Sequence, residues 1–162
     1  MRPAVLAFCL AFPFTPAARS PAQSDPPIAA RGAFFALSVE DLDASTRWYQ
    51  DALGLSVMMR SPRQNGAAAV ALEGGGLIVE LIQQDASMPL KRAVPAITDR
   101  MQVHGLVKGG VVVADFDATV ARLRERHVTF AFGPYPARPG QRANVILEDN
   151  AGNLLQIFGQ RQ

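Results

Sequence analysis

Two stretches of this chain resemble each other: Val39-Glu40-Asp41-Leu42-Asp43-Ala44 and Val113-Ala114-Asp115-Phe116-Asp117-Ala118. A second matching pair follows them in the same order. Leu72-Glu73, a glycine turn and residues 77–81 match Leu147-Glu148, the turn at 149–152 and residues 153–157. Two matched pairs with the same order and a spacing of about 75 residues indicate an internal repeat.

Each copy begins with a predicted strand and a predicted helix. Residues 33–39 and 106–113 are rich in apolar and β-branched types, which is typical of strands. Asp43 and Asp117 are expected to be the helix N-caps, since an aspartate oxygen can accept hydrogen bonds from the first free amides. Gly54 is expected to end the first helix. The predicted apolar stripes are Ala44, Trp48 and Ala52 in the first helix and Phe116, Val120 and Leu123 in the second.

Three short strands are predicted after each helix, separated by turn-forming residues. They lie at 55–60, 67–73 and 77–82 in the first copy and at 128–133, 142–148 and 153–159 in the second. Neither copy has enough apolar surface to be stable alone, so the two should pack together. The predicted fold is α+β, with two βαβββ repeats that form a curved, cup-shaped mixed sheet of about eight strands.

The predicted domain covers residues 33–159, with repeat one at 33–82, a linker at 83–104 and repeat two at 105–159. The linker is longer than an ordinary loop. We expect it to pack, as a short helix or a lid over the cup, through its apolar residues Met88, Leu90, Val94, Ile97 and Met101.

The beginning of the chain has a different composition. Arg2 is followed by an apolar run at 4–14 and by small residues around 17–22, which is the order found in a secretory signal peptide. The run is about 11 residues long, whereas a membrane-spanning helix needs roughly 20. We therefore predict a signal peptide at 1–22, a flexible leader at 23–32, no membrane association after cleavage, and a periplasmic or secreted protein.

Cysteine content and charge exclude several classes of function. Cys9 is the only cysteine and lies in the predicted signal peptide, so the mature domain would have no disulfide, thiolate ligand or cysteine nucleophile. Removal of Arg2 and Arg19 with that segment would leave the mature chain with a formal charge of zero. A basic surface for nucleic acid is therefore not expected.

The opening and the end of the predicted domain resemble a known family. Residues 34–45 (FFALSVEDLDAS) and 48–55 (WYQDALGL) are similar to the opening of the vicinal oxygen chelate superfamily, which contains glyoxalase I, bleomycin-resistance proteins and extradiol dioxygenases. Residues 148–157 (EDNAGNLLQI) resemble its final turn and strand. The resemblance covers about residues 33–159 and is more specific for fold than for activity, because this fold hosts lyases, isomerases, dioxygenases and drug-binding proteins.

Enzymes of this superfamily hold a divalent metal between the first and last strands of each repeat. The resemblance places Phe34, Glu80, Lys108 and Gln156 at those positions. Among them only Glu80 is a typical metal ligand, since phenylalanine cannot ligate, lysine would have to lose its proton and glutamine is a weak ligand. We therefore expect no bound metal at this degenerate metal site and no other cofactor; the alternative is a divalent metal such as zinc, nickel or iron.

The same four positions supply the main functional hypothesis. If the register of the family holds, Glu80, Lys108 and Gln156 point into the cup, and the Lys108 ammonium replaces the missing ion beside Glu80. In an enzyme, Glu80 would be the general base next to a carbonyl and Lys108 would stabilise the oxyanion, as in a lyase or isomerase of the glyoxalase type. The alternative is a salt bridge that fills a dead site.

Two further residues are candidate ligand contacts. His104 lies four residues before Lys108, which is roughly 13 Å along a strand and too far to share one ion with it. It is read as a histidine of the rim. Tyr135, with Phe130, Phe132, Arg138 and Arg142, forms either an aromatic and basic mouth for an organic anion or an ordinary solvated hairpin.

Three functions follow from these residues. The leading hypothesis is an exported domain that binds a small organic molecule in its cup without the usual divalent metal. The second is a metal-dependent lyase or dioxygenase with differently placed ligands, and the third is a structural or partner-binding exported module. The family resemblance also implies that a homodimer is possible.

Overall fold

The computed structural model describes residues 32–160. The predicted signal peptide and nearly all of the predicted leader lie outside the described residues. The elements in chain order are β1 (Ala33–Ser38), α1 (Leu42–Leu53), β2 (Ser56–Gln64), β3 (Ala67–Gly74), β4 (Leu77–Gln84), α2 (Leu90–Ala93), a single 3₁₀ turn (Arg100–Gln102), β5 (Lys108–Val113), α3 (Phe116–Glu125), β6 (Phe130–Tyr135), β7 (Asn144–Glu148) and β8 (Leu154–Gly159).

The strands form two four-stranded mixed sheets of the same topology. The strand order is β1-β4-β3-β2 in one sheet and β5-β8-β7-β6 in the other. In each sheet the first strand is parallel to the last, and the remaining neighbours are antiparallel. The α+β fold with two βαβββ repeats is therefore confirmed.

Both helices begin two residues earlier than the sequence predicted. The side chains of Asp41 and Asp115 are the N-caps and accept hydrogen bonds from the third amide of each helix, at 2.8 and 2.9 Å. The expected caps, Asp43 and Asp117, lie inside the first turn, so that prediction was wrong. The earlier start places Leu42 on the buried face of α1, where it is only 8% exposed.

One apolar core joins the two repeats. It contains Tyr49 and Leu72 from the first repeat together with Leu147 and Ile157 from the second. The sheets approach each other at β1 and β5, where a Cβ added to Gly109 would lie 2.9 Å from the ring of Phe35. Glycine at 109 therefore lets the Phe35 ring cover the start of β5, and the repeats share apolar surface that neither could bury alone.

The apolar face of α1 differs in detail from the predicted stripe. Tyr49 is fully buried, whereas the neighbouring Trp48 is only partly buried and meets the Tyr49 ring edge-on at a centroid distance of 4.9 Å. In α3 the predicted stripe is confirmed, because Val120 and Leu123 are buried and Phe116 packs against the core.

A buried polar contact also holds the repeats together. The Tyr49 hydroxyl donates a hydrogen bond of 3.0 Å to the carboxylate of Asp149, which lies in the turn between β7 and β8 and is 5% exposed. The other acceptor sites of this carboxylate bind the backbone amides of Ala151 and Asn153 and the side-chain amide of Asn153. Nearby, Asn150 donates to the hydroxyl of Ser45 at 3.2 Å. The β7–β8 turn is thereby fastened to the buried side of α1.

Burial and the adjacent Asp149 carboxylate raise the pKa of Tyr49 far above its ordinary value of 10.0. In the unfolded chain this hydroxyl ionises near pH 10, whereas in the folded protein it stays protonated. The unfolded state therefore binds fewer protons than the folded state above pH 10. We expect the free energy of unfolding to fall there by up to about 1.4 kcal/mol per pH unit from this residue.

Urea denaturation at several pH values between 8 and 11 checks this dependence. Tyr49→Phe, which has no ionisable hydroxyl, should show a shallower fall above pH 10 than the wild type. Tyr135→Phe is the matched control, since it removes an exposed tyrosine hydroxyl and keeps the buried hydroxyl of Tyr49. Equal slopes for the wild type and Tyr49→Phe would contradict the assignment.

The linker between the repeats is less packed than expected, and it spans residues 85–107 instead of 83–104. Because Gln84 still pairs with Ala67, β4 continues to residue 84, and β5 begins only at 108. The short helix is confirmed as α2, but the expected packing was wrong for four of the five apolar residues, and only Ile97 is half-buried. Met88, Leu90, Val94 and Met101 are between 41% and 75% exposed, because none of them belongs to the core that the two sheets build. Within residues 32–160, no helix is long and apolar enough to cross a membrane.

Candidate functional site

The candidate residues lie on one face of each sheet. In β4, Leu77, Val79 and Leu81 are buried against the core, so the alternating residues, including Glu80, face the other way. In β8, Leu155 and Ile157 are buried and Gln156 alternates with them. We refer to the face opposite the core, on both sheets, as the open face.

The register shows that Glu80 and Gln156 occupy equivalent places. Glu80 lies opposite Ala36 of β1, and Gln156 lies opposite Gly110 of β5. Each belongs to a row of cross-strand partners that runs over all four strands of its sheet. From the first strand outward, the row contains a small, a polar, an apolar and a large residue. The rows are Ala36, Glu80, Ala71 and Met59 in the first sheet and Gly110, Gln156, Ile146 and Phe132 in the second.

Phe34 and Lys108 are likewise equivalent to each other. They lie two residues before Ala36 and Gly110 on the first strands, so they share the open face. Phe34 is 62% exposed, and Lys108 is also exposed. The positions that the family resemblance assigned therefore have matching registers in the two repeats.

A short polar network fixes the Gln156 side chain. Its Nε2 donates a hydrogen bond of 3.0 Å to Oδ1 of Asn144, and Nδ2 of Asn144 donates to the backbone carbonyl of Arg142 at 3.2 Å. A flip of the Asn144 amide would break its hydrogen bond to the Arg142 carbonyl, so Oδ1 of Asn144 has to face Gln156. Because Oδ1 is an acceptor, Gln156 must direct its donor Nε2 toward Asn144. The Gln156 Oε1, which has no hydrogen-bond partner within residues 32–160, remains available as an acceptor.

Sequence analysis did not identify Asn144 as a site residue. Its signal was the alternation in β7, where Val145 and Leu147 are core residues and the polar Asn144 therefore has to lie on the open face.

Two adjoining cavities open beside β1 and β5, the edge strands at which the two sheets approach each other. The β1 cavity, of about 720 Å³, is lined by Phe34, Ser56 and residues 73–78. The β5 cavity, of about 490 Å³, is lined by residues 108–112, Gln156 and Phe158. Gly32, Ala33, Gly75 and Gly76 line both cavities. Lys108 and Gln156 thus share one cavity, and Phe34 borders the next.

Glu80 does not line either of these two cavities. The ion pairs within residues 32–160 are Arg60 with Asp43 and Arg63 with Asp85, both on exposed surfaces. Glu80 and Lys108 form no ion pair with each other there. Among the described residues there is therefore no salt bridge at the position where the family holds its metal ion, and a joint role of Glu80 and Lys108 stays a prediction.

The donor set does not fit a divalent metal. The four equivalent positions carry a benzyl group, a carboxylate, an ammonium and an amide, and a catalytic metal ion needs about three protein ligands. In the described part of the chain, no three His, Cys, Asp or Glu side chains lie close enough together to hold a metal ion.

The remaining candidates, His104 and Tyr135, do not line these two cavities. His104 is exposed in the bend before β5 and not on a strand, because β5 begins only at Lys108. Tyr135 is at the end of β6, 49% exposed, and its register partner is Asn144. It therefore belongs to the open face of the second sheet, where it extends the surface that contains Gln156.

Comparison with solved structures identifies relatives of this fold. The glyoxylase/bleomycin resistance protein/dioxygenase domain from Frankia sp. EAN1pec matches 78% of this chain and 89% of its own, with 21% identity and a TM-score of 0.61. TnmS3, an antibiotic binding protein from Streptomyces sp. CB03234, matches 85% of this chain and all of its own, with 18% identity and a TM-score of 0.58.

A lactoylglutathione lyase from Agrobacterium tumefaciens has the same fold at 22% identity and a TM-score of 0.55, over 83% of this chain and 96% of its own. At these identities the likeness concerns the fold alone. No curated protein matches the chain by sequence. The family model described as the glyoxalase/bleomycin resistance protein/dioxygenase superfamily matches residues 32–157, which is most of the chain. The chain belongs to that superfamily.

Proposed function

We propose that this protein binds a small organic molecule on the open face of its second sheet, in the β5 cavity, and that it does so without a divalent metal. The observation that carries the proposal is the cavity itself. Its volume of about 490 Å³ lies within the range of small-molecule sites. Apolar side chains, a cation and a hydrogen-bond acceptor meet in it, which is the usual composition of such a site.

The surroundings of the cavity support binding. Val112, Phe132 and Tyr135 are large apolar or aromatic side chains of the second sheet, and each is about half exposed. Exposed aromatic side chains on a rigid sheet can cover an organic ligand without a large loss of conformational entropy. One of the proteins with this fold, TnmS3, is described as antibiotic binding, which is compatible with a role in binding alone.

Proton-transfer chemistry of the glyoxalase type is the weaker candidate. It requires Glu80 beside the ligand as general base, yet Glu80 lines neither cavity. A ligand held by Lys108 and Gln156 would therefore be bound in a cavity that Glu80 does not line.

We further propose that binding takes place outside the cytoplasm, because the composition of residues 1–22 is that of a secretory signal peptide. Intact-mass measurement of the protein purified from its own host should show a chain that lacks about the first 17 to 22 residues. A full-length mass in the exported fraction would contradict this proposal.

Elemental analysis and a thermal-shift screen test the proposed function together. We expect less than about 0.1 equivalent of zinc, nickel or iron in the purified protein, because the donor set does not fit a metal. In a screen of small anions, aldehydes and aromatic compounds, a ligand present at about 100 times its Kd should stabilise the folded state by about 2.7 kcal/mol and raise the Tm by several degrees.

The two measurements separate the alternatives. Stoichiometric metal that is lost in Glu80→Gln would favour the metal-dependent enzyme. Absence of metal together with absence of any ligand-dependent shift would favour the structural or partner-binding module. Val112→Asp is the matched cavity variant, and it should abolish the shift because it places a carboxylate among the apolar contacts.

A further inference from the structure

The charge of the β5 cavity comes from one residue. Among the described residues that line it, Lys108 alone has a charged side chain. Lys108 is exposed and forms no ion pair within residues 32–160, although Glu148 lies in the same row of the open face and Glu73 lines the adjoining β1 cavity. The cavity therefore has an unneutralised positive charge at one end.

The second polar contact in the cavity is an acceptor. Asn144 holds Nε2 of Gln156, so the free atom of this amide is Oε1. Gln156 lies two residues further along the sheet than Lys108, on the neighbouring strand. Such diagonal positions are roughly 7–8 Å apart at their Cα atoms, so the cation and the acceptor contact different parts of one ligand.

The rest of the lining is apolar or glycine. Val112 and Phe158 supply apolar surface, and Gly75, where an added Cβ would have no atom within 4 Å, leaves the backbone open. Glycine at a cavity wall permits close approach of a ligand to the main chain. The cavity therefore fits a compact, largely apolar body between its two polar ends.

We propose that the ligand of the β5 cavity is a small aromatic acid that also carries a hydrogen-bond donor, with its anionic group on Lys108 and its donor on Oε1 of Gln156. The proposal rests on the proposed function and specifies the ligand class. Asn144 is a positioning residue in this scheme, since it acts on the ligand only through the orientation of the Gln156 amide.

Isothermal titration calorimetry with three related probes tests the two ends separately. 4-Hydroxybenzoate has both features, 4-hydroxybenzamide lacks the charge and 4-methoxybenzoate lacks the hydroxyl donor. The wild type should bind 4-hydroxybenzoate about tenfold tighter than the amide, as a charge-assisted hydrogen bond implies. The wild type should bind 4-hydroxybenzoate about fivefold tighter than 4-methoxybenzoate, as a neutral hydrogen bond implies.

Variants assign each preference to a residue. Lys108→Met should bring the acid-to-amide ratio close to one and leave the hydroxy-to-methoxy ratio unchanged. Gln156→Met should bring the hydroxy-to-methoxy ratio close to one and leave the acid-to-amide ratio unchanged. Asn144→Leu should also lower the hydroxy-to-methoxy ratio, because the released Gln156 amide can turn either end toward the ligand. Met101→Ala, in the exposed linker, should change neither ratio.

The outcomes distinguish this inference from the proposed function. Equal binding of acid and amide by the wild type, or unchanged ratios in Lys108→Met and Gln156→Met, would overturn the ligand class. Binding of neutral compounds in the wider screen without binding of the acids would overturn it as well, while the proposed function would stand. If no compound binds at all, both are wrong.

Discussion

Replacement of Asp149 by alanine should destabilise the protein by about 3–5 kcal/mol, as expected when one partner of a buried polar network is removed. The Asp149 carboxylate accepts four hydrogen bonds and is 5% exposed. Its loss leaves the buried hydroxyl of Tyr49 and the amides of the β7–β8 turn without their acceptor. Because this turn is attached to α1, we expect both repeats to unfold together at lower denaturant concentration.

Urea denaturation followed by circular dichroism measures this effect. Asp117→Ala is the matched control, since Asp117 is an exposed carboxylate in the first turn of α3, and it should cost less than about 1 kcal/mol. In a double-mutant cycle, Tyr49→Phe should cost much less in the Asp149→Ala background than in the wild type. Additive effects in this cycle would show that the contact does not join the repeats.

Replacement of Gly110 by alanine should destabilise the second sheet by about 1–3 kcal/mol, the usual cost of forcing an extra methyl group into space that other atoms already fill. A Cβ at this position would lie 2.2 Å from the carbonyl oxygen of Gln156 and 3.1 Å from its carbonyl carbon. Both are backbone atoms, so β5 and β8 have to move apart. The same movement should widen the β5 cavity and weaken ligand binding.

The equivalent residue of the first repeat is Ala36, which shows that the fold itself accepts a methyl group in this row. Val112→Ala is the matched control on β5, because its side chain is 56% exposed. Thermal unfolding should show a lower Tm for Gly110→Ala than for Val112→Ala. A Tm equal to that of the wild type would mean that β5 and β8 separate at negligible cost.

The repeat and its elements were predictable because they depend on local patterns. Alternation of apolar and polar residues specifies which face of each strand is buried, and Gly54 ends α1 in the left-handed conformation that glycine favours. The helix starts were predicted two residues late. The Asp-x-Asp spacing supplies two possible caps, and burial of Leu42 and Phe116 against the sheets selects the first.

The packing of the linker residues was predicted incorrectly for a related reason. Apolar residues such as Met88 and Leu90 indicate burial only if an apolar surface is available to cover them. The two sheets bury their apolar faces in one shared core, to which these linker residues do not belong. The choice of Tyr49 instead of Trp48 for the centre of the core likewise depended on a partner, Asp149, that lies 100 residues away in the chain.

The sequence by itself determined the two βαβββ units and the buried face of each strand, because these follow from residue types and their spacing. Only the tertiary structure decided which residues share a cavity. Lys108 and Gln156 meet beside β5, while Glu80 lies on the other sheet, since the packing of β1 against β5 sets the distance between the repeats. The tertiary structure also decided the orientation of the Gln156 amide, because the pairing of β7 with β8 brings Asn144 into hydrogen-bond contact with it.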